Sequence, residues 1–173
     1  GQERAVGFTL GFWDGPYPED EIGAIAALNE VMNTAPREKL DMEDMHFTPE
    51  QLRQMEQMMT AAGTLRWTLY ASEGGTGRFA GFTEVTWNPN RPLVVSQGGT
   101  GVFPEFRGLG LGRWMKAAML ERVQRDRPEA KFVRTGNADS NVAMLGINQA
   151  LGFKPYLSHC VWQVETEKAA AYL

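Results

Sequence analysis

Cysteine is almost absent: Cys160 stands alone, so no internal disulfide framework staples this fold. Histidine is scarce as well. His46 and His159, with that one cysteine, supply none of the usual zinc clusters, and no metal is expected. No apolar run approaches the ~20 residues that span a bilayer, and the start does not read as a signal peptide. A membrane partner is therefore not expected, and a reducing, cytoplasmic setting is. Positive charge is not in excess: 17 Lys and Arg face 21 Asp and Glu, a net charge of -4. That argues against nucleic acid as a partner, because coating phosphates needs a basic surface. Internal repeats, low-complexity tracts and Pro/Ser-rich linkers are missing too. Residues 1–173 read as a single domain. The chain begins at Gly1 rather than methionine, as expected of a processed chain or of one half excised from a longer tandem protein.

What is present is ordinary globular usage, 43% hydrophobic and 22% charged, in a chain long enough to bury a core. Charge is unevenly spread. Asp14 to Glu56 holds eleven acids and three bases, and Arg107 to Arg134 holds eight bases and three acids. One part of the surface suits a phosphate-bearing ligand and another a cationic one, unless both are simply solvated faces.

The spacing predicts a strand from Ala5 to Trp13, then a helix from Pro18 carrying Ile22, Ile25, Leu28 and Val31. Thr48-Pro49-Glu50-Gln51 reads as an N-cap, a first-turn proline and a capping-box glutamine. Strand runs Leu65–Ser72 and Arg78–Trp87 flank a glycine-rich hairpin turn, and Leu93–Val102 is extended again. A third helix runs from the Arg107–Gly112 turn to about Asp126. A short strand, Phe132–Thr135, follows. Asp139 or Ser140 caps a fourth helix that Gly152 ends, and Lys154–Val164 reads as a last strand. This order predicts a mixed α/β (α+β) sheet packed by helices.

The informative stretch is Gly98–Gly112, with six glycines in fifteen residues against a usual ~7%. Glycines in a strand often mark close approach of a ligand or another backbone. Arg107-Gly108-Leu109-Gly110-Leu111-Gly112 then enters a helix directly. Small residues there leave backbone N–H groups free at a positive dipole end, flanked by Arg107 and Arg113: a pyrophosphate cradle, unless the glycine-rich helix entry serves packing alone. A P-loop would need Lys-Ser/Thr after the last glycine, where Arg113-Trp114 stands. A dinucleotide fingerprint would need glycine where Met115 stands. Asn137, Asn141 and Asn148 surround the next helix, and Asn141, Leu145 and Asn148 share one face. Asparagine offers donor and acceptor together and suits an amide-bearing ligand, although capping and a solvent face explain the same residues.

Arg107-x-x-Gly110-x-Gly112 after a strand, together with Asn141 through Leu151-Gly152-Phe153, resembles the GNAT superfamily of acyl-CoA-dependent N-acyltransferases. The likeness runs from Ala5 to Val164. Trp13-Asp14-Gly15-Pro16 and Thr100-Gly101-Val102 resemble the second half of bacterial tandem GNAT proteins. The resemblance implies a mostly antiparallel sheet of six to seven strands, splayed between strands 4 and 5, with about four helices. It implies acetyl-CoA (coenzyme A) as co-substrate, with the pantetheine arm lying in the splay. Val102 and Phe103 would then contact the arm and thioester, with the Val102 N–H as oxyanion donor. Arg107, Gly108, Leu109, Gly110, Leu111, Gly112 and Arg113 would hold the pyrophosphate. Asn137 and Asn141 would bond the arm's amides, and Leu145 would pack beside it.

The implied reaction is attack of an amine on the thioester, for which a base must take the amine's proton. Glu84, a charge among apolar strand neighbours, is the first candidate, unless it faces solvent. Glu105, through water, is the second. Many family members carry a tyrosine as general acid where this chain has Asn148. Asn148 would bond the thiol or cofactor instead, with the acid supplied elsewhere, such as from Tyr156. The acceptor site would be built from the first two helices and the last strands. The expected acceptor is a small-molecule primary amine, cationic if the acidic first half guides it. The Met42/Met45 and Met55/Met58/Met59 groups are either core or an adaptable acceptor wall. His159 and Cys160 read as structural. A homodimer or a partner tandem domain fits the family. The alternative function is a non-catalytic acyl-CoA-binding or structural half of a tandem protein, and a nucleotide-binding module is a weaker one.

Overall fold

The computed structural model describes residues 5–36, 43–160 and 162–172. Five strands form one sheet in sequence order: β1 (Phe8–Asp14), β2 (Leu65–Glu73), β3 (Phe79–Trp87), β4 (Val94–Val102) and β5 (Phe132–Arg134). The first three pairings are antiparallel, and β4 runs parallel to β5. Helices α1 (Ile22–Asn29) and α2 (Pro49–Ala61) cover one face, and α3 (Leu111–Asp126) covers the other. Helix α4 (Val142–Ala150) follows β5, and a short α5 (Thr166–Ala170) lies near the end.

Strand alternation divides the buried residues between two cores. Trp67, Leu69, Val85 and Val95 point to α3 and pack on Leu111, Met115, Met119 and Val123. Trp13 and Phe82 point the other way, onto Tyr17, Ile25, Val31 and Leu52. Much of the basic excess is absorbed here. Arg122 lies 3.8 Å over the Phe12 ring and Arg127 4.2 Å over Trp87, so these side chains are partly structural. Acids in the first half are engaged likewise, Glu56 with Arg66 at 2.7 Å and Glu30 with His46 at 2.9 Å.

The expected antiparallel sheet with a divergence after strand 4 is present. β5 meets β4 only at Val94, Val95 and Ser96, so Gln97 to Val102 run on without a neighbour on that edge among the described residues. The strand number differs: five strands are formed among the described residues, not six to seven. Residues 154–160 adopt no regular structure, and Val161 lies outside the described residues. Pro155 removes one ladder donor, and a three-residue β5 offers a partner strand little edge. Tyr156 and Leu157 accordingly stay exposed.

The methionine expectation also changes. Met45, Met55 and Met58 are exposed, neither core nor cavity wall, and Met42 lies outside the described residues. His159 and Cys160 are exposed in the irregular stretch. The cap of α4 is Asn141, whose Oδ1 accepts the Met144 N–H at 3.2 Å, rather than Asp139 or Ser140. Its side chain reaches the third helical amide, which satisfies one of the helix's orphan donors.

Candidate acyl-CoA site

A cavity of about 530 Å³ opens where β4 and β5 part. Thr100, Gly101 and Val102 form its floor, the turn from Arg107 to Arg113 one end, and Asn141, Met144 and Ile147 the α4 side. The 3-10 turn Glu30–Thr34, continuing α1, closes the remaining side with Val31, Met32 and Thr34. That turn packs directly on the strand. A Cβ at Gly101 would lie 2.6 Å from Val31 Cγ1, so only glycine permits the approach.

Phe103 N–H donates to Ala80 O at 2.9 Å. Antiparallel partners alternate in the side their amides face, and Val102 sits opposite Gly81, one step back. Its N–H and C=O therefore turn away from β3, toward the open edge. Arg107 Nε donates to that Val102 oxygen at 3.0 Å, and Arg107 Nη2 reaches Thr34 Oγ1. Arg107 thus ties the cavity's floor to its wall.

Gly110 precedes α3 at φ 79° with no side-chain cap. Such left-handed backbone suits glycine. The backbone N–H groups of residues 108–113 make no hydrogen bond with the described residues. Several bare amides and the positive end of a sixteen-residue helix thus converge on one end of the cavity, an arrangement that accepts phosphate oxygens.

Glu84 lies on the α1/α2 face and is not among the residues that line the cavity. Residues Gly98 and Gly99 bulge opposite it, between the pairs Thr83–Thr100 and Val85–Gln97. A Cβ at Gly98 would lie 2.7 Å from Glu84 Oε1. Burial pushes the Glu84 carboxyl above its usual range, against the opposing pull of Arg66 and of the Gly99 backbone. Arg66 itself spans Glu56 and the Tyr17 ring, which lies 3.7 Å from its guanidinium. Burial also raises the Tyr17 phenol.

Of the cofactor residues read from sequence, Val102, Arg107, Gly108, Gly110, Leu111, Gly112, Arg113 and Asn141 line the cavity. Phe103 and Leu109 pack instead against the α3 core, and neither Leu145, which is half-buried, nor Asn137, which is exposed, belongs to the cavity lining. Asn148 is buried, bonded to Lys116 and to Asn137 rather than open to the cavity. Tyr156 is 76% exposed, with Arg134 4.8 Å over its ring, and does not line the cavity. Glu105 pairs with Arg78 on the surface. Lys116 was not singled out by the sequence reading. It stands in the run Trp114-Met115-Lys116-Ala117-Ala118-Met119, four residues after Gly112 and so on that glycine's face. A lone charge in an apolar helical run was the available signal. No group of three His, Cys, Asp or Glu able to hold a metal occurs among the described residues. No described helix is long and apolar enough to cross a membrane.

No family model matches the chain, and no curated protein does. Solved structures do. A tandem GNAT protein from the clavulanic acid biosynthesis pathway superposes with a TM-score of 0.72 and 32% identity, over 87% of this chain and 43% of that one. This chain thus spans less than half of that relative. An acetyltransferase of the GNAT family from Streptococcus pneumoniae matches at TM-score 0.62 and 17% identity, over 83% of each chain. An aminoglycoside N-acetyltransferase in complex with CoA matches at 0.60 and 14%, over 92% of this chain and 97% of its own. The two lower-identity matches speak to the fold.

Proposed function

This chain has the fold of the GNAT superfamily, and from that premise we propose that it transfers an acetyl group from acetyl-CoA to a primary amine. The observation that carries the reading is the cavity between the diverging strands, ended by bare helix-start amides. A diphosphate fits those amides, with Arg107 and Arg113 adding charge. An extended arm fits the open edge of β4, where Val102 offers an N–H. The cofactor, when bound, supplies an acetyl thioester.

The Val102 N–H, turned to the open edge, would hold the thioester oxygen, a contact worth about 2.7–4 kcal/mol where such donors have been removed. Glu84 takes the proton of the incoming amine, and burial, by raising its pKa, makes its carboxylate a stronger base. The Arg66, Tyr17 and Glu56 group beside it orders the acceptor side. Acidic residues in the first half favour a cationic amine. A partner tandem domain or a second copy remains part of this reading, prompted by the tandem relative.

A second reading, an acyl-CoA-binding half without catalysis, has one observation in its favour. Asn148 replaces the family's acidic tyrosine, and its amide is engaged by Lys116 and Asn137.

Thiol release from acetyl-CoA over an amine panel separates the two. The catalytic reading expects turnover that falls about 100-fold or more in Glu84→Gln, with CoA affinity kept. Tight CoA binding with no turnover on any amine leaves the binding-only reading. Stability gives an independent check. A pKa raised in the folded state favours folding below the ordinary carboxylate range, and that contribution is lost as pH rises through the raised value. Glu84→Gln should therefore flatten the fall in melting temperature on that alkaline side, and an unchanged slope would contradict the burial argument.

A further inference from the structure

Lys116 is 1% exposed. Its Nζ donates to Asn148 Oδ1 at 2.6 Å, lies 4.0 Å from Met144 Sδ, and sits 5.2 Å from the centre of the Phe153 ring. Asn148 in turn donates from Nδ2 to Asn137 Oδ1 at 2.5 Å. Asn137 is exposed, in the loop where the chain leaves β5. Its own Nδ2 has no hydrogen bond with the described residues.

The polarity of this row follows from chemistry. A protonated lysine donates and cannot accept. Asn148 must then turn its oxygen to Lys116 and its NH2 to Asn137. Asn137 must receive that donor on its oxygen, which leaves its NH2 as the outward group. Each amide could face either way on its own. The ammonium at the buried end removes the choice.

We propose that Lys116 is a positioning residue that sets the direction of the Asn148–Asn137 row, so that Asn137 offers an N–H donor to a carbonyl oxygen of the cofactor's pantetheine arm. This rests on the acyl-CoA reading above. Among the described residues no carboxylate pairs with Lys116, and burial lowers its pKa, to about 8. It is still largely protonated, and donor-only, at pH 7.

The test is calorimetry on the whole chain with two probes: CoA, and 3′-phospho-ADP, which keeps the diphosphate and lacks the arm. Lys116→Met frees the row, and Asn148→Asp reverses it. The new carboxylate accepts from Lys116 and from Asn137, so Asn137 turns its oxygen outward against the arm's carbonyl. Asn148→Asp keeps the side-chain shape and gains an ion pair, so folding is expected to survive. Both variants should weaken CoA about tenfold, the worth of one misdirected hydrogen bond, and leave 3′-phospho-ADP within about twofold. Equal losses for both probes, or Asn148→Asp binding CoA as the wild type does, would overturn the row. Failure of the wild type to bind either probe would sink the acyl-CoA reading itself, and the row with it.

Discussion

Two helix starts in this chain are built in opposite ways. At α2, Thr48 Oγ1 accepts the Gln51 N–H at 3.2 Å, and Gln51 Oε1 accepts the Thr48 N–H at 2.9 Å. Pro49 has no N–H to satisfy. The capping box consumes these two donors. At α3, the residue in the same place is Gly110, with no side chain and no cap. A cap is worth about 1 kcal/mol, so α3 gives up stability that α2 keeps. The closed start of α2 serves the fold, and the open start of α3 leaves its amides available to a ligand. The open end here is the one that faces the cavity.

Closing the open end tests the contrast most severely. Gly110→Asp supplies a cap oxygen and a negative charge where a diphosphate would lie. Aspartate tolerates the left-handed backbone better than most residues, so the fold should survive. CoA affinity should fall about 100-fold or more, since charge-assisted contacts are replaced by repulsion. Affinity within about threefold of wild type by calorimetry would mean that α3 is not the diphosphate seat, and the contrast would lose its functional meaning.

Arg107 sharpens the same point at smaller scale. Its side chain ties Val102 to Thr34, yet its charge remains beside the bare amides. Arg107→Met should cost about tenfold in CoA affinity and reduce its dependence on salt. A loss with unchanged salt dependence would assign Arg107 to holding the cavity wall alone.

The same contrast explains what could be read in advance. Both helix starts are local, so a few consecutive residues spell them: Thr-Pro-Glu-Gln for one, Gly-Leu-Gly-Leu-Gly for the other. The hairpin, β4 and the ends of α3 were legible for the same reason. The Lys116–Asn148–Asn137 row was not, because it joins α3, α4 and a loop that meet only in the folded chain. Asn148 stood out by its helical spacing from Asn141 and by its place in a family pattern, but its buried partner had no local sign beyond one charge in an apolar run. Residues 154–160 failed differently. Their alternation suits a strand, but a strand also needs an edge to pair with, and β5 offers three residues. Propensity in a sheet is a statement about neighbours.

The smallest effect is expected at the closed end. Thr48→Ala removes the cap oxygen and should destabilise the chain by about 1 kcal/mol in urea unfolding. CoA affinity should not change, because α2 contributes no residue to the cavity. Only Leu52 of α2 is buried, in the core that also holds Ile25 and Val31. Val31 belongs to the turn that walls the cavity. If Thr48→Ala did weaken CoA, the disturbance would have to travel from Leu52 through that core to Val31. The two helix ends would then be coupled, and their division of labour would fail at the end where it looks safest.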